Sequence, residues 1–283
     1  MTYDIAIIGG GPAGVSAALN AKVLNKSFIW FASQPVSKKV ERAELIENYT
    51  GLPSVNGAEL GWTLNNHTES MGIEKVEEVI TGVYETGGKF TLLAGNKDYE
   101  AKTVVLCLGV QTQKPVEGEE KFLGRGVSYC ATCDGNLYKG KTVAILCTDK
   151  RFEHEIDYLC TLAHKAYVFP LYKDYEITAK NAEIILKSPT EFAGDLKVKE
   201  VIFKDGKIPV DGVFVLKTAI SPSTLVHGLK TEEGHVWVNR KLETSIAGVF
   251  AAGDCTGRPY QYMKAAGEGN VAVHSAVEYL SKL

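Results

Sequence analysis

The chain begins with a strand, a glycine-rich turn and a helix, and this order constrains the fold more than any other feature. The apolar run Tyr3–Ile8 leads into Gly-Gly-Gly-Pro-Ala-Gly at positions 9–14, and a helical pattern follows over residues 15–24. A dinucleotide-binding βαβ unit needs small residues here, for a tight turn, for approach of a pyrophosphate and for packing of helix on strand. A glycine-rich turn without a ligand is the alternative. The predicted ligand-contacting residues of this turn are Gly9, Gly11, Pro12, Ala13 and Gly14.

Two further segments would hold other parts of the same ligand. The second strand, Ser27–Phe31, is followed by Ser33 rather than by the acidic residue that usually binds a ribose hydroxyl. We therefore expect the adenosine end to be held differently, with Ser33 as a candidate. Near the C-terminus the apolar segment 244–252 delivers Gly253 and Asp254 to the end of a strand, where open α/β sheets bind ligands. A turn or capping acid is the alternative for Asp254.

A closely spaced cysteine pair, Cys130 and Cys133, precedes the predicted strand Thr142–Leu146. In a reducing compartment such a pair is more often catalytic or metal-binding than structural. A helix start lowers the pKa of a thiol toward ambient pH, which favours attack by the thiolate. Half of a zinc site is the alternative, but no second pair of ligands lies at usable spacing, and we predict no metal.

Composition sets the class of protein. At 283 residues, with 45% hydrophobic and 23% charged residues, the chain is expected to form two domains of an ordinary globular protein. The net charge of −3 argues against nucleic acid as a partner. No apolar run approaches the roughly 20 residues of a membrane helix, so we expect no membrane association. Residues 1–4 lead directly into a strand without a signal-peptide pattern, which predicts a cytoplasmic protein.

The order of these motifs resembles the low-molecular-weight thioredoxin reductases over nearly the whole chain. The matching segments are the glycine turn at 9–14, Glu-Asn-Tyr-Thr-Gly at 47–51, Cys-Ala-Thr-Cys-Asp-Gly at 130–135 and Gly-Val-Phe-Ala-Ala-Gly-Asp at 248–254. The resemblance implies an α/β fold of two Rossmann-like domains, each of three ββα layers. The FAD-binding domain would comprise residues 1–113 and 241–283. Residues 114–240 would form an inserted domain that carries the cysteines. FAD, a homodimer and reduction of a thioredoxin-type disulfide are also implied.

The match ends where a pyridine nucleotide should bind. The first strand of the inserted domain enters Cys-Thr-Asp-Lys-Arg at 147–151, with a side chain at each position where close backbone approach needs none. The second strand is followed by no arginine over 167–174, although arginine is suited to bidentate phosphate recognition. Lys150 and Arg151 would touch a phosphate or, as we prefer, form solvated surface charge. The chain therefore most resembles the NADPH-independent branch, the ferredoxin-dependent flavin thioredoxin reductases.

The resemblance also assigns roles to single residues. Cys133 would be the sulfur nearer the flavin, Cys130 would attack the partner's disulfide, and Asp134 would supply or hold a proton. It adds Asn48, Gly109 and Gln261 to the residues expected to contact FAD. Asn48 is equally explained as a turn asparagine.

The resemblance also bears on domain rotation, and the sequence leaves three alternatives to the proposed electron donor and activity. The inserted domain is expected to rotate about two connections, near 110–114 and 239–243, so that the dithiol can leave the flavin and meet a protein. Three alternatives stay in play: an NADPH-dependent reductase with an atypical nucleotide site, a diflavin-linked disulfide oxidoreductase, and a non-catalytic FAD-binding or sensing module.

Overall fold

The structure is a computed structural model, and it describes residues 1–32, 38–41, 43–110, 115–217 and 221–283. The strands are β1 Thr2–Ile8, β2 Phe28–Phe31, β3 Gly82–Thr86, β4 Lys89–Ala94, β5 Lys97–Leu106, β6 Val127–Ser128, β7 Thr142–Cys147, β8 Lys165–Pro170, β9 Ala182–Ile184, β10 Glu191–Gly194, β11 Val198–Phe203, β12 Gly206–Pro209, β13 Gly212–Leu216, β14 Thr231–Glu232, β15 His235–Val236 and β16 Val249–Ala251. The helices are α1 Pro12–Val23, α2 Lys38–Glu41, α3 Gly57–Ser70, α4 Ala131–Asp134, α5 Glu153–Leu162, α6 Pro222–Leu225 and α7 Tyr262–Leu280.

The chain divides into two compact units, and the first is built from both chain ends. Unit 1 comprises Met1–Gln111 and Ser221–Leu283, and unit 2 comprises Thr112–Ile220. The expected boundary between 240 and 241 differs from the observed one because residues 221–240 pack with unit 1, where Val226 forms a bridge to Val83 of β3.

Unit 1 contains a mixed sheet with strand order β2-β1-β5-β4-β3, and β16 also pairs with β5. Strands β1, β2, β5 and β16 are parallel, and Ile8 and Ala251 both stand in register with Leu106. The carboxyl ends of β1, β5 and β16 therefore lie side by side at one edge, where an α/β sheet binds ligands. Helices α1 and α7 pack on each other, and Asn270 Nδ2 donates to Asn20 Oδ1 at 2.7 Å.

Unit 2 contains a five-stranded parallel sheet with the order β6-β13-β7-β8-β9 and a separate antiparallel sheet, β10-β11-β12. All of β13 is buried, as expected for a parallel strand covered on both faces. The α/β class predicted from sequence is confirmed. Across the described ranges of the chain, no helix combines the length and hydropathy needed to cross a bilayer.

The segment Asn239–Glu243, expected to connect the domains, is a hydrogen-bonded turn inside unit 1. The N–H of Asn239 donates to the carbonyl of Glu243 at 3.0 Å, and Asn239 Oδ1 accepts the N–H of Lys241 at 2.9 Å. An asparagine side chain that closes its own turn explains this local order. The hinge expected here therefore lies within unit 1 in this division of the chain, and it stays a prediction. Residues 111–114 of the other predicted hinge lie outside the described residues.

Candidate active site: a redox disulfide and a glycine cradle

The two cysteines singled out in the sequence form a disulfide in unit 2. The Cys130 and Cys133 sulfurs are bonded at 2.01 Å, with 5.3 Å between the two Cα atoms. Cys130 is the N-cap of the four-residue helix α4, and its Sγ accepts the N–H of Cys133 at 3.2 Å. Cys130 is buried, with 9% of its surface exposed, whereas Cys133 lies exposed at the surface of the unit. A disulfide between closely spaced cysteines at a helix start is the arrangement of a redox pair.

Two carboxyl groups lie close to this disulfide in sequence or in space. Asp134 ends α4, where its N–H donates to the Cys130 carbonyl at 3.2 Å and its side chain is half-buried. Glu155 of α5 accepts a hydrogen bond from the Ala131 N–H, and burial raises the pKa of its carboxyl. No local pattern pointed to Glu155, because only the packing of α5 against α4 brings it to the redox turn.

In unit 1, the glycine turn after β1 separates into packing glycines and one open position. A Cβ at Gly9, whose φ is +124°, would stand 2.1 Å from the Cys107 carbonyl oxygen. A Cβ at Gly14 would stand 1.9 Å from the Gly9 carbonyl oxygen. A Cβ at Gly11 would meet nothing within 4 Å, and the φ of −75° at this residue suits any amino acid. Protein packing therefore requires glycine at 9 and 14 but does not explain it at 11.

The N-terminus of α1 is open to an anion. Gly11 is its N-cap without a side-chain hydrogen bond, Pro12 stands at the first helical position, and the first turn holds no acidic residue. Backbone N–H groups at such a terminus attract phosphate, and close approach requires a residue without a Cβ. This cradle fits the pyrophosphate of a dinucleotide. Gly9, Gly11, Pro12, Ala13 and Gly14 would hold it.

Three other predicted cofactor residues of unit 1 follow the carboxyl ends of β5 and β16. Gly109, with a φ of +66°, follows β5, and Gly253, with a φ of +87°, follows β16. A Cβ at Gly253 would be 3.0 Å from the Ala13 Cβ. Asp254 begins the short 3-10 turn after β16.

Asn48 and Gln261 are also brought together, although they are 213 residues apart in the chain. Asn48 Nδ2 donates to Gln261 Oε1 at 2.7 Å, and Gln261 is the N-cap of α7. Ser33 lies outside the described residues.

Three side chains that the sequence did not single out hold the backbone of the glycine turn and of the loop that begins at Gly253. Trp30 Nε1 donates to the Gly9 carbonyl at 2.8 Å. Lys264 Nζ donates to the carbonyls of Gly253 at 3.0 Å and Gly257 at 2.7 Å, and Glu268 accepts the Gly253 N–H at 2.8 Å. Lys264 and Glu268 lie one turn apart on α7, so their (i, i+4) spacing is the only signal that would have pointed to them.

The corresponding turn of unit 2, after β7, is filled by its own side chains. Asp149 Oδ1 accepts the backbone N–H of Arg151 at 3.0 Å and also pairs with the Arg151 guanidinium at 3.1 Å. Lys150 Nζ pairs with Glu176 at 2.8 Å. Both cationic side chains are about half exposed and already paired. These contacts support the interpretation of Lys150 and Arg151 as surface charge.

The helix that follows this turn begins with acids. Glu153 and Glu155 lie in the first turn of α5. Glu153 Oε1 accepts the Tyr172 hydroxyl at 2.9 Å and the Glu176 N–H at 3.0 Å. Tyr172 lies just after β8, where a phosphate-binding arginine would stand in an NADPH site. Carboxylates therefore occupy the helix end that would attract a phosphate.

The fold, the redox disulfide and the open cradle define an oxidoreductase. A model of the pyridine nucleotide-disulphide oxidoreductase family matches residues 3–147 and 175–269. Thioredoxin reductase from Bacillus subtilis is 30% identical over 99% of this chain and 96% of its own length. The chain belongs to the pyridine nucleotide-disulphide oxidoreductase family and is homologous to thioredoxin reductases.

Solved structures give a sharper likeness. A ferredoxin-flavin thioredoxin reductase from Clostridium acetobutylicum superposes with a TM-score of 0.93 and 49% identity, over 100% of this chain and 99% of that chain. A second structure with this description and source has a TM-score of 0.87 and 45% identity, over 100% and 98% of the two chains. The family match leaves residues 148–174 unmatched between its two segments. This interval contains the filled turn, α5 and β8.

Proposed function

We propose that this chain is an FAD-dependent disulfide oxidoreductase that reduces thioredoxin or a thioredoxin-like protein, with electrons from ferredoxin rather than from NADPH. The contrast between the open position at Gly11 and the filled turn at 147–152 carries the proposal. Unit 1 has a cradle for one dinucleotide, whereas unit 2 presents carboxylates where a second would bind. The likeness to ferredoxin-flavin thioredoxin reductases supports the same donor.

The cofactor would be held by residues at one edge of the unit 1 sheet. The α1 N-terminus and Gly11 would receive the pyrophosphate, and Asn48, Gly109, Gly253, Asp254 and Gln261 are the further contacts we propose. FAD accepts electrons singly and passes them on in pairs, which suits it to stand between an iron–sulfur protein and a disulfide. Lys264 and Glu268 keep the Gly253 loop in place.

The cysteines perform the disulfide exchange. As the Cys130–Cys133 bond breaks, the pair takes up two electrons and two protons and becomes two thiols. The Cys130 thiolate attacks one sulfur of the substrate disulfide, and the other substrate sulfur leaves and takes a proton. Cys133 then attacks Cys130 in the mixed disulfide, which restores the intramolecular bond and releases the reduced substrate. The Cys133 N–H at the Cys130 Sγ favours the thiolate of Cys130.

Asp134 is proposed to exchange protons with the thiols during these steps. Its place directly after the exposed Cys133 supports this assignment. Asp134→Asn should slow disulfide exchange at low pH more than at high pH, because less thiol is then ionised without help. A uniform effect at all pH values would argue for a structural role instead.

Anaerobic mixing with a panel of donors tests the electron source. Reduced ferredoxin should bleach the flavin absorbance rapidly, and NADPH and NADH at millimolar concentration should not. Bleaching by NADPH would establish the atypical NADPH-dependent reductase. Two flavins per chain after denaturation would establish the diflavin enzyme.

Trapping with single cysteine variants tests the disulfide chemistry. Cys133→Ser keeps the proposed attacking thiol and should form a stable mixed disulfide with thioredoxin, whereas Cys130→Ser should not. Capture of thioredoxin by Cys130→Ser alone would reverse the assignment of the attacking cysteine. The test is sharp because Cys133 is the more exposed of the two cysteines. If the wild-type chain reduces no protein disulfide with any donor, and Cys130→Ser leaves its biological activity intact, the chain is a non-catalytic FAD-binding or sensing module.

We also propose a homodimer in the cytoplasm. The dimer follows from the resemblance to thioredoxin reductases, and light scattering on the purified flavoprotein checks it. Four buried cysteines, Cys107, Cys147, Cys160 and Cys255, are free beside the single disulfide, which suits a reducing compartment. Cell fractionation tests the location.

A further inference from the structure

A buried ion pair and a tyrosine meet beside the redox turn of unit 2. Glu119 is 1% exposed. Its Oε1 pairs with Lys217 Nζ and accepts the Tyr129 hydroxyl at 2.5 Å, and its Oε2 accepts the Val116 N–H at 3.0 Å. We call Glu119, Tyr129 and Lys217 the Glu119 cluster.

Every charged or polar end of the cluster has a partner. The Lys217 side chain is 11% exposed, and its Nζ lies 4.9 Å from the centroid of the Tyr129 ring, within range of a cation–π contact. Burial, and then the charge of Glu119, raise the pKa of Tyr129, so its hydroxyl remains a donor. Buried charges are costly unless paired and hydrogen-bonded, and here both conditions hold.

The cluster acts on the residue next to Tyr129, which is Cys130. The backbone before Cys130 is fixed by the pairing of Val127 and Ser128 with β13. Ser128 Oγ accepts the Cys130 N–H at 3.1 Å and donates to the Cys130 carbonyl at 3.3 Å. With Tyr129 anchored to Glu119, the chain on the N-terminal side of Cys130 has little freedom. This holds Cys130 at φ −125° and ψ 102°, the N-cap conformation in which its Sγ accepts the Cys133 N–H.

The cluster also joins the two ends of unit 2. Unit 2 comprises Thr112–Ile220, so Glu119 lies close to its first residue and Lys217 close to its last. The ion pair joins two residues that are 98 positions apart in the chain. Both ends of the unit are thereby tied to the strand that delivers the redox cysteine.

We propose that Tyr129, anchored through its hydroxyl to the buried side chain at position 119, is a positioning residue that holds Cys130 in its N-cap conformation, so that the reduced Cys130 sulfur keeps the Cys133 N–H as a hydrogen-bond donor. The proposal rests on the proposed use of Cys130–Cys133 as a redox pair. The reactivity of Cys130 then depends on a hydroxyl that never touches the sulfur.

Two tyrosine variants of the full-length flavoprotein test the proposal. Tyr129→Phe removes only the hydroxyl that binds Glu119 and keeps the ring under Lys217. The matched control is Tyr138→Phe, because Tyr138 flanks the other side of the redox turn and packs its ring edge-on against Phe214. After reduction, the rate of iodoacetamide alkylation is followed against pH, and the disulfide is equilibrated with dithiothreitol buffers.

In Tyr129→Phe the pKa of the more reactive thiol should rise by up to about one unit, since hydrogen bonding to the thiolate lowers its pKa. At pH below that pKa the alkylation rate should then fall by as much as about tenfold. Tyr138→Phe should match the wild type. If Tyr129→Phe matches the wild type in thiol pKa and in redox equilibrium, the proposal is overturned. A wild-type pair that dithiothreitol buffers cannot cycle would instead overturn the proposed function.

Charge variants separate positioning from a field effect. Lys217→Met leaves a buried carboxylate unpaired and is expected to unfold unit 2. The double variant Glu119→Gln with Lys217→Met is neutral, and its amide oxygen still accepts the Tyr129 hydroxyl. It should fold and keep the wild-type thiol pKa. A raised thiol pKa in the double variant but not in Tyr129→Phe would show that the charge of Lys217 acts directly and would overturn the positioning role.

Discussion

Each unit contains a parallel strand, a turn and a helix, and the two turns are built in opposite ways. The turn between β1 and α1 has an open position at Gly11 and no acid in the first helical turn. The turn between β7 and α5 is closed by the Asp149–Arg151 contacts, and Glu153 and Glu155 stand in the first helical turn. The same supersecondary unit thus offers backbone N–H groups to an anion at the start of α1, and places carboxylates that oppose an anion at the start of α5.

The difference lies in side chains rather than in backbone topology. Strand β7 pairs with β8 and β13 in parallel, as β1 pairs with β2 and β5. A helix N-terminus carries about half a positive charge, which a phosphate or the chain's own carboxylates can neutralise. In unit 2, Glu153 takes that place and is held there by Tyr172. A turn of this kind can therefore be filled by side chains without a change of fold.

The largest effect is expected from adding a side chain at Gly9, the position of the β1–α1 turn where a neighbouring carbonyl leaves no room for one. In Gly9→Ala the new methyl would stand 2.1 Å from the Cys107 carbonyl oxygen at a φ of +124°. Such strain and overlap cost several kcal/mol, roughly 2–5 in total, so unit 1 should fail to fold around its cofactor. Soluble yield, thermal unfolding and flavin content measure this. A variant with normal flavin content and melting temperature would contradict the packing role of Gly9.

A subtler change at the same turn should affect only the ligand. Gly11→Ala places a methyl in open space, so the melting temperature of the apoprotein should stay within about 2 °C of the wild type. The methyl occupies the approach of the pyrophosphate, and FAD affinity should fall by roughly a hundredfold or more. Gly267→Ala is the control, since its methyl also meets nothing within 4 Å but lies inside α7. Unchanged FAD affinity in Gly11→Ala would show that the pyrophosphate does not approach the chain at position 11.

The two turns also show what the sequence could and could not predict. The roles of Gly9, Gly11 and Gly14 follow from spacing, because a strand–turn–helix dictates where a Cβ fits. The absence of glycine at 147–152 predicts a turn that does not bind a dinucleotide, and the structure shows side chains filling this turn. The contacts that fill it were not predictable, since Tyr172 and Glu176 reach Glu153 only through the pairing of β7 with β8.

Long-range polar contacts escaped the sequence for the same reason. Trp30 at Gly9, Lys264 at Gly253 and Lys217 at Glu119 are each set by tertiary packing, which no local pattern encodes. The expected domain boundary at 241, taken from the family resemblance, differs from the unit boundary at Ser221, because the bridge of Val226 to Val83 is also a long-range contact.

Cys147, where a dinucleotide-binding turn would have small residues, gives a pH test of the filled turn. Burial raises the pKa of this thiol from 9.0 to about 11, and its Sγ donates to the Asp149 carbonyl at 3.3 Å. Because the folded pKa lies above the unfolded one, this contribution to stability is complete below about pH 9 and is lost as the pH rises through 11. A shift of two units corresponds to about 3 kcal/mol at most. Unfolding free energy should therefore decline less steeply between pH 9 and 11 in Cys147→Ala than in the wild type. Parallel curves for the two proteins would show that the thiol is not buried in the turn.

The smallest effect is expected at the two cations of the filled turn, and it decides between the two interpretations of that turn. If Lys150 and Arg151 bound the phosphates of a nucleotide donor, removing either charge would raise the apparent KM for that donor by tenfold or more, as expected for loss of a charge-assisted contact. In the structure each cation pairs with a carboxylate at the surface, and such pairs contribute about 0–1 kcal/mol. Lys150→Met and Arg151→Met should therefore change ferredoxin-driven turnover and stability by less than about twofold.

Lys264→Met is the contrasting variant, because its ammonium is largely buried and holds two carbonyls of the Gly253 loop. Loss of this ammonium should weaken FAD binding measurably. Equal effects of Lys150→Met and Lys264→Met on flavin and donor binding would mean that both turns bind nucleotide, and the contrast between the units would fail.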